Sequence, residues 1–272
     1  MRPLTYEAII LADSINEFGN RLTTMKITLP RFILAQLNTH RIFSKNAASS
    51  RAVPVSRVIQ TVMDSPFVPT FATNQAGMQA GQALSPVRRA LATGLWKLGV
   101  YTSVGISYLL SKLGVHKQWS NRPLEPYAWE TVIVSSTGWA NFFKQRLDGH
   151  AQPEMQAIAR LMYEAMQAST PQMMRAGEWH LPYIQPHERI CFTIKEQICI
   201  STARVARVSY ARHEEFFSLK KDIARHDDML RLGHMSPFEH VAQAWTAPDR
   251  KGNFIGWQQY RKIVQPEDVT LE

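Results

Sequence analysis

The segment THRIFSKNAASSR, residues 39–51, concentrates side chains that are suited to binding an anion. Histidine, arginine, lysine and serine residues stand within a few positions of one another in it. Arginine forks and serine hydroxyls are good donors to phosphate oxygens, and the small residues Ala47 and Ala48 would let the backbone approach a ligand. On composition alone, an ordinary solvated basic loop is the alternative interpretation.

A second polar cluster lies in WANFFKQRLDGHAQPE, residues 139–154. The pattern predicts a helix over residues 137–147 that ends at Asp148–Gly149. Asn141, Arg146 and His150 would then converge beside the aromatic residues of the same segment. An amphipathic helix with exposed polar residues is the alternative interpretation of this cluster taken alone.

The third cluster consists of ARVARVSYARHEE and, further along, GHMSPFEH. Ser236 and Glu239 have the spacing of a helix capping box, with serine at the N-cap and glutamate three residues later. His234 and His240 flank that cap and are possible metal ligands. We predict no metal site, because no third ligand stands at a recognisable spacing.

The bulk composition sets limits on the class of protein. The chain has 272 residues, 45% of them hydrophobic, and a formal net charge of +9. This size suits one large domain, or one domain with an inserted subdomain, and the charge would attract phosphates. A basic DNA-binding protein without catalysis is therefore a second class to consider. We regard nucleic-acid binding as the weaker hypothesis, because the sequence has no helix-turn-helix or zinc-finger pattern.

The cysteines and the N-terminal segment indicate which cellular compartment to expect. Cys191 and Cys199 give neither a disulfide framework nor a zinc spacing, so we expect a reducing cytoplasm. Both cysteines lie in apolar company and are predicted to be core residues rather than nucleophiles. No signal peptide is expected at the N-terminus. The apolar run of residues 98–110 is shorter than the about 20 residues that cross a bilayer, so it predicts a buried or partner-facing helix and no membrane association.

Hydrophobic periodicity predicts several elements that would position these clusters. A strand is expected over residues 24–28, followed by a helix that ends near Asn38. Residues 53–92 read as a surface excursion with a short helix at 58–63, and a helix follows at 93–116. A helix should begin at Pro153, and the CFTIKEQICIS segment, residues 191–201, has the composition of a strand. An amphipathic helix marked by Phe216, Leu219, Ile223 and Leu230 should end at Gly233.

Together, the three clusters resemble the flavin-dependent thymidylate synthases. That family has a signature of Arg-His-Arg, seven residues and then Ser, which Thr39-His40-Arg41 and Ser49 match apart from the first residue. Gln36 and Arg51 also fit the motif. The blocks NFF…R…HAQ…E, ARVSY and SPFEH match further segments of the family.

The order of the blocks differs from that of the usual family chain, in which ARVSY and SPFEH precede the Arg-His-Arg motif. The chain is therefore similar to circularly permuted members carried by bacteriophages, and permutation is tolerated where termini lie close together at the surface. The resemblance implies an α+β fold over residues 1–272, with a single domain whose central, mostly antiparallel sheet is flanked by helices. Residues 53–115 match loosely. The resemblance also implies a homotetramer with sites at subunit interfaces, in the host cytoplasm if phage-encoded.

The resemblance assigns roles to individual residues. The residues that would contact FAD are His40, Arg41, Ile42, Asn141, His150, Ser209, Ser236 and Glu239. Those that would hold a pyrimidine deoxynucleotide monophosphate are Gln36, Ser49, Arg51, Arg122, Arg146 and His234. Arg146 would also be the catalytic residue, polarising the base. Four positions depart from the family pattern, namely Thr39, Ala47, Ser135 and Thr137, and Gln118 stands where the family has an acid.

The activity implied by the resemblance is one-carbon transfer to C5 of dUMP, giving dTMP. Methylenetetrahydrofolate would supply the carbon, and NADPH would reduce the flavin. A second possibility keeps the site but changes the product, by hydroxymethylation of dUMP or dCMP for modified phage DNA. In each case the flavin would carry the difficult chemistry, and the protein would supply orientation and electrostatics.

Overall fold

The computed structural model describes residues 4–210 and 218–265. The strands in these ranges are β1 (Glu7–Asn16), β2 (Arg21–Pro30), β3 (Ser44–Ala47), β4 (Trp129–Ser136), β5 (Gln172–Met174), β6 (Trp179–His180), β7 (Ala242–Ala244), β8 (Arg250–Lys251), β9 (Phe254–Ile255) and β10 (Trp257–Gln259).

The α-helices are α1 (Leu34–Asn38), α2 (Val55–Asp64), α3 (Pro86–Lys112), α4 (Lys117–Ser120), α5 (Ala140–Arg146), α6 (Pro153–Ala168), α7 (Pro186–Cys191), α8 (Ile194–Ala206), α9 (Leu219–Arg231) and α10 (Tyr260–Val264). Short 3-10 helices lie at Arg31–Ile33, Arg122–Tyr127, Arg207–Tyr210 and Ser236–Glu239.

Five strands form the central sheet in the order β3-β4-β2-β1-β5. Neighbouring strands are antiparallel except β1 and β5, which are parallel. A tight turn joins β1 to β2, and Gly19 in that turn has a φ of 77°, a conformation that favours glycine. The predicted α+β fold with a mostly antiparallel sheet is confirmed, and the predicted strand over 24–28 is the middle of β2.

The largest hydrophobic cluster covers one face of this sheet. Met25 and Ile27 of β2 are fully buried in it, as the alternation of the sequence predicts. Ile158 and Met162 of α6 pack against them. The helix begins with Pro153 in its first turn, where the missing N–H costs nothing, so the helix predicted from Pro153 is confirmed.

A second sheet of short strands has the order β6-β7-β10-β8-β9. It meets the central sheet at the β1–β2 turn, where the Asn16 side-chain amide donates to the Gly256 carbonyl at 2.7 Å and the Trp257 indole N–H donates to the Asn20 carbonyl at 2.9 Å. A Cβ on Gly256 would lie 2.5 Å from Asn16 Nδ2. Because Gly256 also has a φ of 71°, only glycine permits this approach of the two sheets.

The strand predicted over residues 191–201 is wrong, because this segment enters helix α8. Thr193 and Glu196 form a capping box that starts the helix. The β-branched residues are accommodated because nearly the whole helix is buried, and a buried bidentate pair between Arg204 and Glu188 (NH1–Oε2 2.7 Å) fixes it to α7. Tertiary packing thus overrides strand propensity. The prediction that both cysteines are core residues fails for Cys191, which is exposed, and holds for Cys199, which is buried.

The excursion predicted after residue 52 contains α2 and α3, which pack on one another and on the 3-10 helix Arg122–Tyr127. The predicted helix over 93–116 is present but begins earlier, at Pro86, and ends at Lys112. The amphipathic helix predicted before Gly233 is α9, and Phe216, offered as one of its markers, lies outside the described residues. Among the described helices, none combines the length and the apolar content that a bilayer crossing needs.

Candidate active site

Residues 39–51, called the motif loop from here on, run from the end of α1 through β3. Helix α1 ends at Asn38, as the sequence predicts. The chain turns so that the Phe43 amide donates to the His40 carbonyl at 3.2 Å, and β3 then pairs with β4. The His40 ring lies edge-on to Phe142 at 4.9 Å and stacks over Phe43 at 5.6 Å. Aromatic packing therefore fixes the imidazole in place.

Arg146, at the end of α5, lies against the motif loop. Its Nε donates to His40 Nε2 at 3.0 Å, and its NH2 approaches Thr39 Oγ1 at 3.4 Å. Burial, reinforced by the charges of Arg146 and Lys45, lowers the pKa of His40 to about 4. The imidazole is therefore neutral at pH 7 and can accept the guanidinium N–H. Helix α5 can hold Arg146 here because Phe142 and Phe143 anchor its other face in the core.

Gln36 belongs to the same group of side chains. The Thr39 hydroxyl donates to the Gln36 carbonyl at 2.7 Å, and the Gln36 side-chain amide donates to Gln152, which follows the Arg146 segment. Thus the structure brings together Gln36, His40 and Arg146, although Gln36 and Arg146 lie more than a hundred positions apart in the sequence.

Asn46, in the middle of β3, joins the motif loop to the third cluster. Its side-chain N–H donates to the Val205 carbonyl at 3.1 Å. Its Oδ1 accepts from the Ser209 hydroxyl at 3.3 Å and from the Ser236 hydroxyl at 3.2 Å. Sequence reasoning missed Asn46 as a site residue, although an amide that alternates inward on a short strand, between two predicted ligand-binding positions, was a usable signal.

Two further contacts tighten this junction. The Ser49 amide donates to the Ser209 carbonyl at 3.0 Å. The Lys45 ammonium donates to the His40 carbonyl at 2.8 Å, and burial lowers the pKa of Lys45, partly opposed by the Glu239 carboxylate. Glu239 itself pairs with Arg261. The predicted flavin contacts Ser209, Ser236 and Glu239 therefore lie around the base of the motif loop.

The capping-box interpretation of Ser236 and Glu239 is wrong. The residue before this 3-10 helix, Met235, occupies the N-cap position, and no side chain caps the helix. The Ser236 hydroxyl is directed instead to Asn46, and Glu239 to Arg261. The sequence pattern fitted a local structure, whereas these side chains are used in contacts between distant segments.

Several predicted site residues are not brought to these contacts. His150 is 82% exposed in its side chain and pairs with Asp148 at 2.6 Å. Arg122 pairs with Glu125 at 2.9 Å in the 3-10 helix that it begins. Arg41 and Ile42 belong to the motif loop itself and have exposed side chains, and Ile42 lies near Gly138. Asn141 and His234 are exposed as well, and within the described part of the chain no hydrogen bond or ion pair joins their side chains to the motif loop. The motif-loop arginine Arg51 is exposed too.

A cavity of about 510 Å³ lies directly after the motif loop. Arg57, Arg207 and Arg225 line it, and the Arg225 guanidinium stands 5.5 Å over the Tyr210 ring. This volume is within the usual range for small-molecule sites. Arg57 and Arg225 favour an anionic ligand there, whereas the Arg207 guanidinium is buried and paired with Asp222. Sequence reasoning did not single out these three arginines, because they come from separate segments.

A continuous chain of buried polar groups, here called the polar chain, joins the central sheet to His180 of the second sheet and to His240. It runs from Ser14 Oγ to His180 Nδ1 at 2.9 Å, from His180 Nε2 to Thr24 Oγ1 at 2.8 Å, and from there to Ser135 Oγ at 2.6 Å. It ends at His240 Nδ1, 2.8 Å from Ser135 Oγ. Burial lowers the pKa of His180 and of His240 to about 3, so both are neutral at pH 7.

These contacts put no metal ligands together. Among the described residues, no group of three or more histidine, cysteine, aspartate or glutamate side chains is placed to hold a metal ion. Burial, with a smaller contribution from nearby Asp227, raises the pKa of the Cys199 thiol to about 11, which leaves it protonated and a poor nucleophile. The chemistry available at the motif loop is therefore anion binding and charge stabilisation by arginine.

The fold and the motif loop define the class of this protein as a flavin-dependent thymidylate synthase-like enzyme. A family model described as thymidylate synthase complementing protein matches residues 20–172, which include β2, the motif loop and α5. The chain belongs to the thymidylate synthase complementing protein family. No curated protein sequence matches it significantly.

Two solved structures are similar to this chain. The UMP/dUMP methylase PolB from Streptomyces cacaoi, bound with 5-Br UMP, has a TM-score of 0.52 and 13% identity, over 62% of this chain and 90% of that chain. Thymidylate Synthase X from Helicobacter pylori, solved with FAD and dUMP, matches with a TM-score of 0.37 and 20% identity, over 53% of this chain and 67% of that chain. At this level of identity, the PolB match supports the fold alone.

Asn46→Ala should weaken both the fold and cofactor binding. The change leaves two hydroxyls and one carbonyl without their partner, and an unsatisfied buried polar group costs about 1–3 kcal/mol of unfolding free energy. Urea unfolding measures that loss. If Ser209 and Ser236 contact the flavin, FAD affinity should also fall by at least about tenfold, which corresponds to 1.4 kcal/mol.

The matched control is Asn38→Ala, which removes the exposed amide at the end of α1 and should change neither quantity. Equal stability of the Asn46 and Asn38 variants would show that Asn46 does not join the two segments. A loss of stability without a loss of FAD affinity would remove Asn46 from the binding site.

Proposed function

We propose that this chain transfers a one-carbon unit to C5 of a pyrimidine deoxynucleotide, converting dUMP to dTMP with methylenetetrahydrofolate and NADPH as co-substrates. The observation that carries the proposal is the position of Arg146, held by His40 and Thr39 of the motif loop. Family membership supports the reaction class, and the PolB and Thymidylate Synthase X structures contain uridine nucleotides in their own sites.

The residues present fit FAD and a nucleotide monophosphate, both of which are anionic. Arg41 and Arg51 are exposed cations, and neither has an ion-pair partner among the residues that the structure describes. Unpaired guanidinium groups favour phosphate. In the cavity that follows the motif loop, Arg57 and Arg225 add positive charge. We assign Arg41, Ile42, Ser209, Ser236 and Glu239 to FAD.

We assign Gln36, Ser49 and Arg51 to the nucleotide and its phosphate. Asn141 and His150 stay assigned to FAD, and Arg122 and His234 to the nucleotide, which requires that these exposed side chains be covered when ligand binds. The family resemblance supports these four assignments.

When bound, FAD supplies the redox chemistry that completes the transferred methyl group. The chain's own contribution is orientation and charge. Neutral His40 accepts from Arg146 Nε and so aims the guanidinium, leaving its NH1 nitrogen without a hydrogen-bond partner among the described residues. A fixed cationic donor at that point would stabilise negative charge that develops on the pyrimidine as C5 becomes nucleophilic toward the one-carbon unit. The aromatic wall formed by Phe43 and Phe142 limits the access of water to His40.

We also propose that the order of the chain is circularly permuted. The family model ends at residue 172, yet the later ARVSY and SPFEH segments supply Ser209 and Ser236 to Asn46 of the motif loop. A circularly permuted chain requires this contact. Its ARVSY and SPFEH segments follow the motif loop in sequence but must still lie beside it in the fold. A structure of the FAD complex with neither serine at the flavin would contradict this order.

Adding FAD and dUMP to the purified protein should produce a bound-flavin absorbance spectrum that persists through gel filtration. With methylenetetrahydrofolate and NADPH, mass spectrometry of the nucleotide should then show a gain of one methyl group on dUMP. A hydroxymethyl product, or reaction with dCMP, would replace the proposed reaction with its alternative. Absence of flavin binding even with dUMP present would overturn the proposal.

A further inference from the structure

A small cavity of about 110 Å³ lies between the motif loop, α2 and the start of β4. Arg57 is exposed and lines this cavity, so the cavity reaches the surface beside α2. Arg146 and its partners Thr39 and His40 do not line it, and the cavity is therefore separate from the place where Arg146 would act. A dry cavity of about 150 Å³ holds benzene, so this one has room for the edge of one small ring.

Three residues that line the cavity each have a buried polar atom without a hydrogen-bond partner among the residues that the structure describes. These atoms are Asn121 Oδ1, Trp129 Nε1 and Glu130 Oε1. The side chains of Asn121 and Glu130 are almost completely buried. A buried polar group without a partner is costly and rare in native proteins. Three of them around one cavity point to a ligand that supplies the missing partners.

The hydrogen bonds of Asn121 fix what it can offer to a ligand. Its Nδ2 donates to the Ser50 carbonyl at 2.7 Å and to the Val53 carbonyl at 3.0 Å. Both amide hydrogens are thus used, and Oδ1 is left as an acceptor. The indole N–H of Trp129, in contrast, can only donate. A ligand that satisfies both residues must present a donor to Asn121 and an acceptor to Trp129.

Glu130 can be a donor or an acceptor, depending on its protonation. Its Oε2 pairs with Arg31, so Oε1 is the atom left for a ligand. The other charged groups that line the cavity are Glu125, which pairs with Arg31 at 3.1 Å, and Arg57. Burial, partly offset by Arg31, raises the pKa of Glu130 to about 7. At neutral pH the carboxyl group can therefore hold a proton and donate it.

We propose that this cavity binds the amino-substituted edge of a cytosine ring. That edge carries an amino group that donates, then the ring nitrogen N3 and the carbonyl oxygen O2, which both accept. The three groups complement Asn121 Oδ1, Glu130 Oε1 and Trp129 Nε1 in turn, with one proton shared between N3 and the carboxyl group. Uracil has an oxygen in place of the amino group, so two acceptors would face each other at Asn121.

The surroundings of the cavity favour a cytosine nucleotide over the free base as the source of the ring. Arg57 also lines the larger cavity of about 510 Å³, together with Arg225. A phosphate attached to the ring would find these two cations beside the mouth of the small cavity. Ser49 and Ser50 line the small cavity as well. The result would be a second nucleotide site, next to the part of the motif loop that we assign to the substrate.

Isothermal titration calorimetry of the full-length protein tests the ring and its source separately. At pH 6.5, cytosine should bind about tenfold or more tightly than uracil, because a site built for a hydrogen bond rejects the analogue that lacks it. The nucleotide dCMP should bind more tightly still, and Arg225→Ala should remove that advantage. Equal affinity for the two bases, or binding of neither, would overturn the proposal. Equal affinity for dCMP and cytosine would overturn the nucleotide as the source of the ring.

The affinity for cytosine should fall as the pH rises. The complex holds a proton that Glu130 of the free protein loses above pH about 7, so the dissociation constant should rise by about tenfold or more between pH 6.5 and 8.5. Glu130→Gln keeps a donor at every pH and should abolish this rise while it retains binding. A pH-independent dissociation constant in the wild type would remove Glu130 from the site.

Trp129→Phe removes the indole N–H but keeps an aromatic ring beside Tyr6 and Phe67, so the affinity for cytosine should fall by about tenfold. The matched control is Trp119→Phe, at an exposed tryptophan outside the cavity, which should leave the affinity unchanged. Circular dichroism shows whether both variants fold. Equal affinities in the two folded variants would contradict the site. FAD binding is a separate measurement, and its failure would bear on the proposed reaction alone.

Discussion

Replacing Arg146 with alanine should lower kcat by about 10²–10³, the usual effect of removing one fixed donor from a site where charge develops. The structure explains why a single side chain can matter so much. Arg146 is held by two acceptors of the motif loop, His40 Nε2 at 3.0 Å and Thr39 Oγ1 at 3.4 Å. Alanine at the partly exposed end of α5 should leave the fold intact. Steady-state turnover of dUMP, with circular dichroism to monitor the fold, measures both effects.

Two companion variants make the result specific to the guanidinium. Lys144→Ala removes a cation from the exposed face of the same helix and should leave turnover unchanged. Arg146→Lys keeps the charge but loses the planar fork that engages His40 and Thr39 together, so it should recover only a small part of the activity. Wild-type turnover in Arg146→Ala would remove this residue from the reaction.

Acid should destabilise the protein because three of its histidines are buried in the neutral form. The folded-state pKa of His180 and of His240 is lowered to about 3, and that of His40 to about 4. Each value lies below that of the unfolded chain, so the unfolded state takes up protons first, and stability is lost as the pH falls below about 6.5.

One carboxyl group opposes this trend. Burial, only partly offset by Arg31, raises the pKa of Glu130 to about 7, so the folded state already holds a proton there. Three histidines against one glutamate leave a net excess of about two protons on the unfolded chain between pH 4.5 and 6. The free energy of unfolding should therefore fall by roughly 3 kcal/mol per pH unit in that range.

Urea unfolding at half-unit steps from pH 7 to 4.5 measures this slope. His240→Gln removes one of the titrating groups and should reduce the slope by about half. His150→Gln, at an exposed histidine, should leave it unchanged. A flat stability profile between pH 6 and 4.5 would show that the buried histidines are not neutral in the folded protein.

The parts of the fold that the sequence predicts are those in which local pattern and tertiary packing agree. In β2, alternation puts Met25 and Ile27 on the face that α6 covers. The end of α1 at Asn38 is also determined by the local sequence, because a polar loop follows this short helix directly. In α8, the local sequence pattern and the tertiary packing disagree. Its β-branched residues and cysteine favour a strand, but the capping box and burial on all sides select a helix.

The candidate site divides in a similar way. Motif spacing placed His40, Arg146 and Gln36 in one site, and the structure brings these three together. The sequence alone could not reveal Asn46 as the junction between the motif loop and the later segments. The carbonyl and hydroxyl groups that Asn46 binds come from residues about 160 to 190 positions further along the chain. The sequence also could not show that the Ser236 hydroxyl donates to the distant side-chain amide of Asn46, because Ser236 and Glu239 also fit a local capping pattern. Contacts of this kind depend on how segments meet, which periodicity does not encode.

The polar chain couples its two histidines across the junction of the sheets. Each hydroxyl in it has one hydrogen to give, so Thr24 and Ser135 must both donate in the same direction. If His180 carries its proton on Nε2, the hydroxyls point toward His240 and leave that ring protonated on Nε2 as well. If His180 carries it on Nδ1, every hydrogen reverses and His240 is protonated on Nδ1. The two rings, 60 positions apart in sequence, therefore share one tautomer, and a single set of hydrogen shifts would reverse the dipole of the whole chain while every heavy atom stays in place.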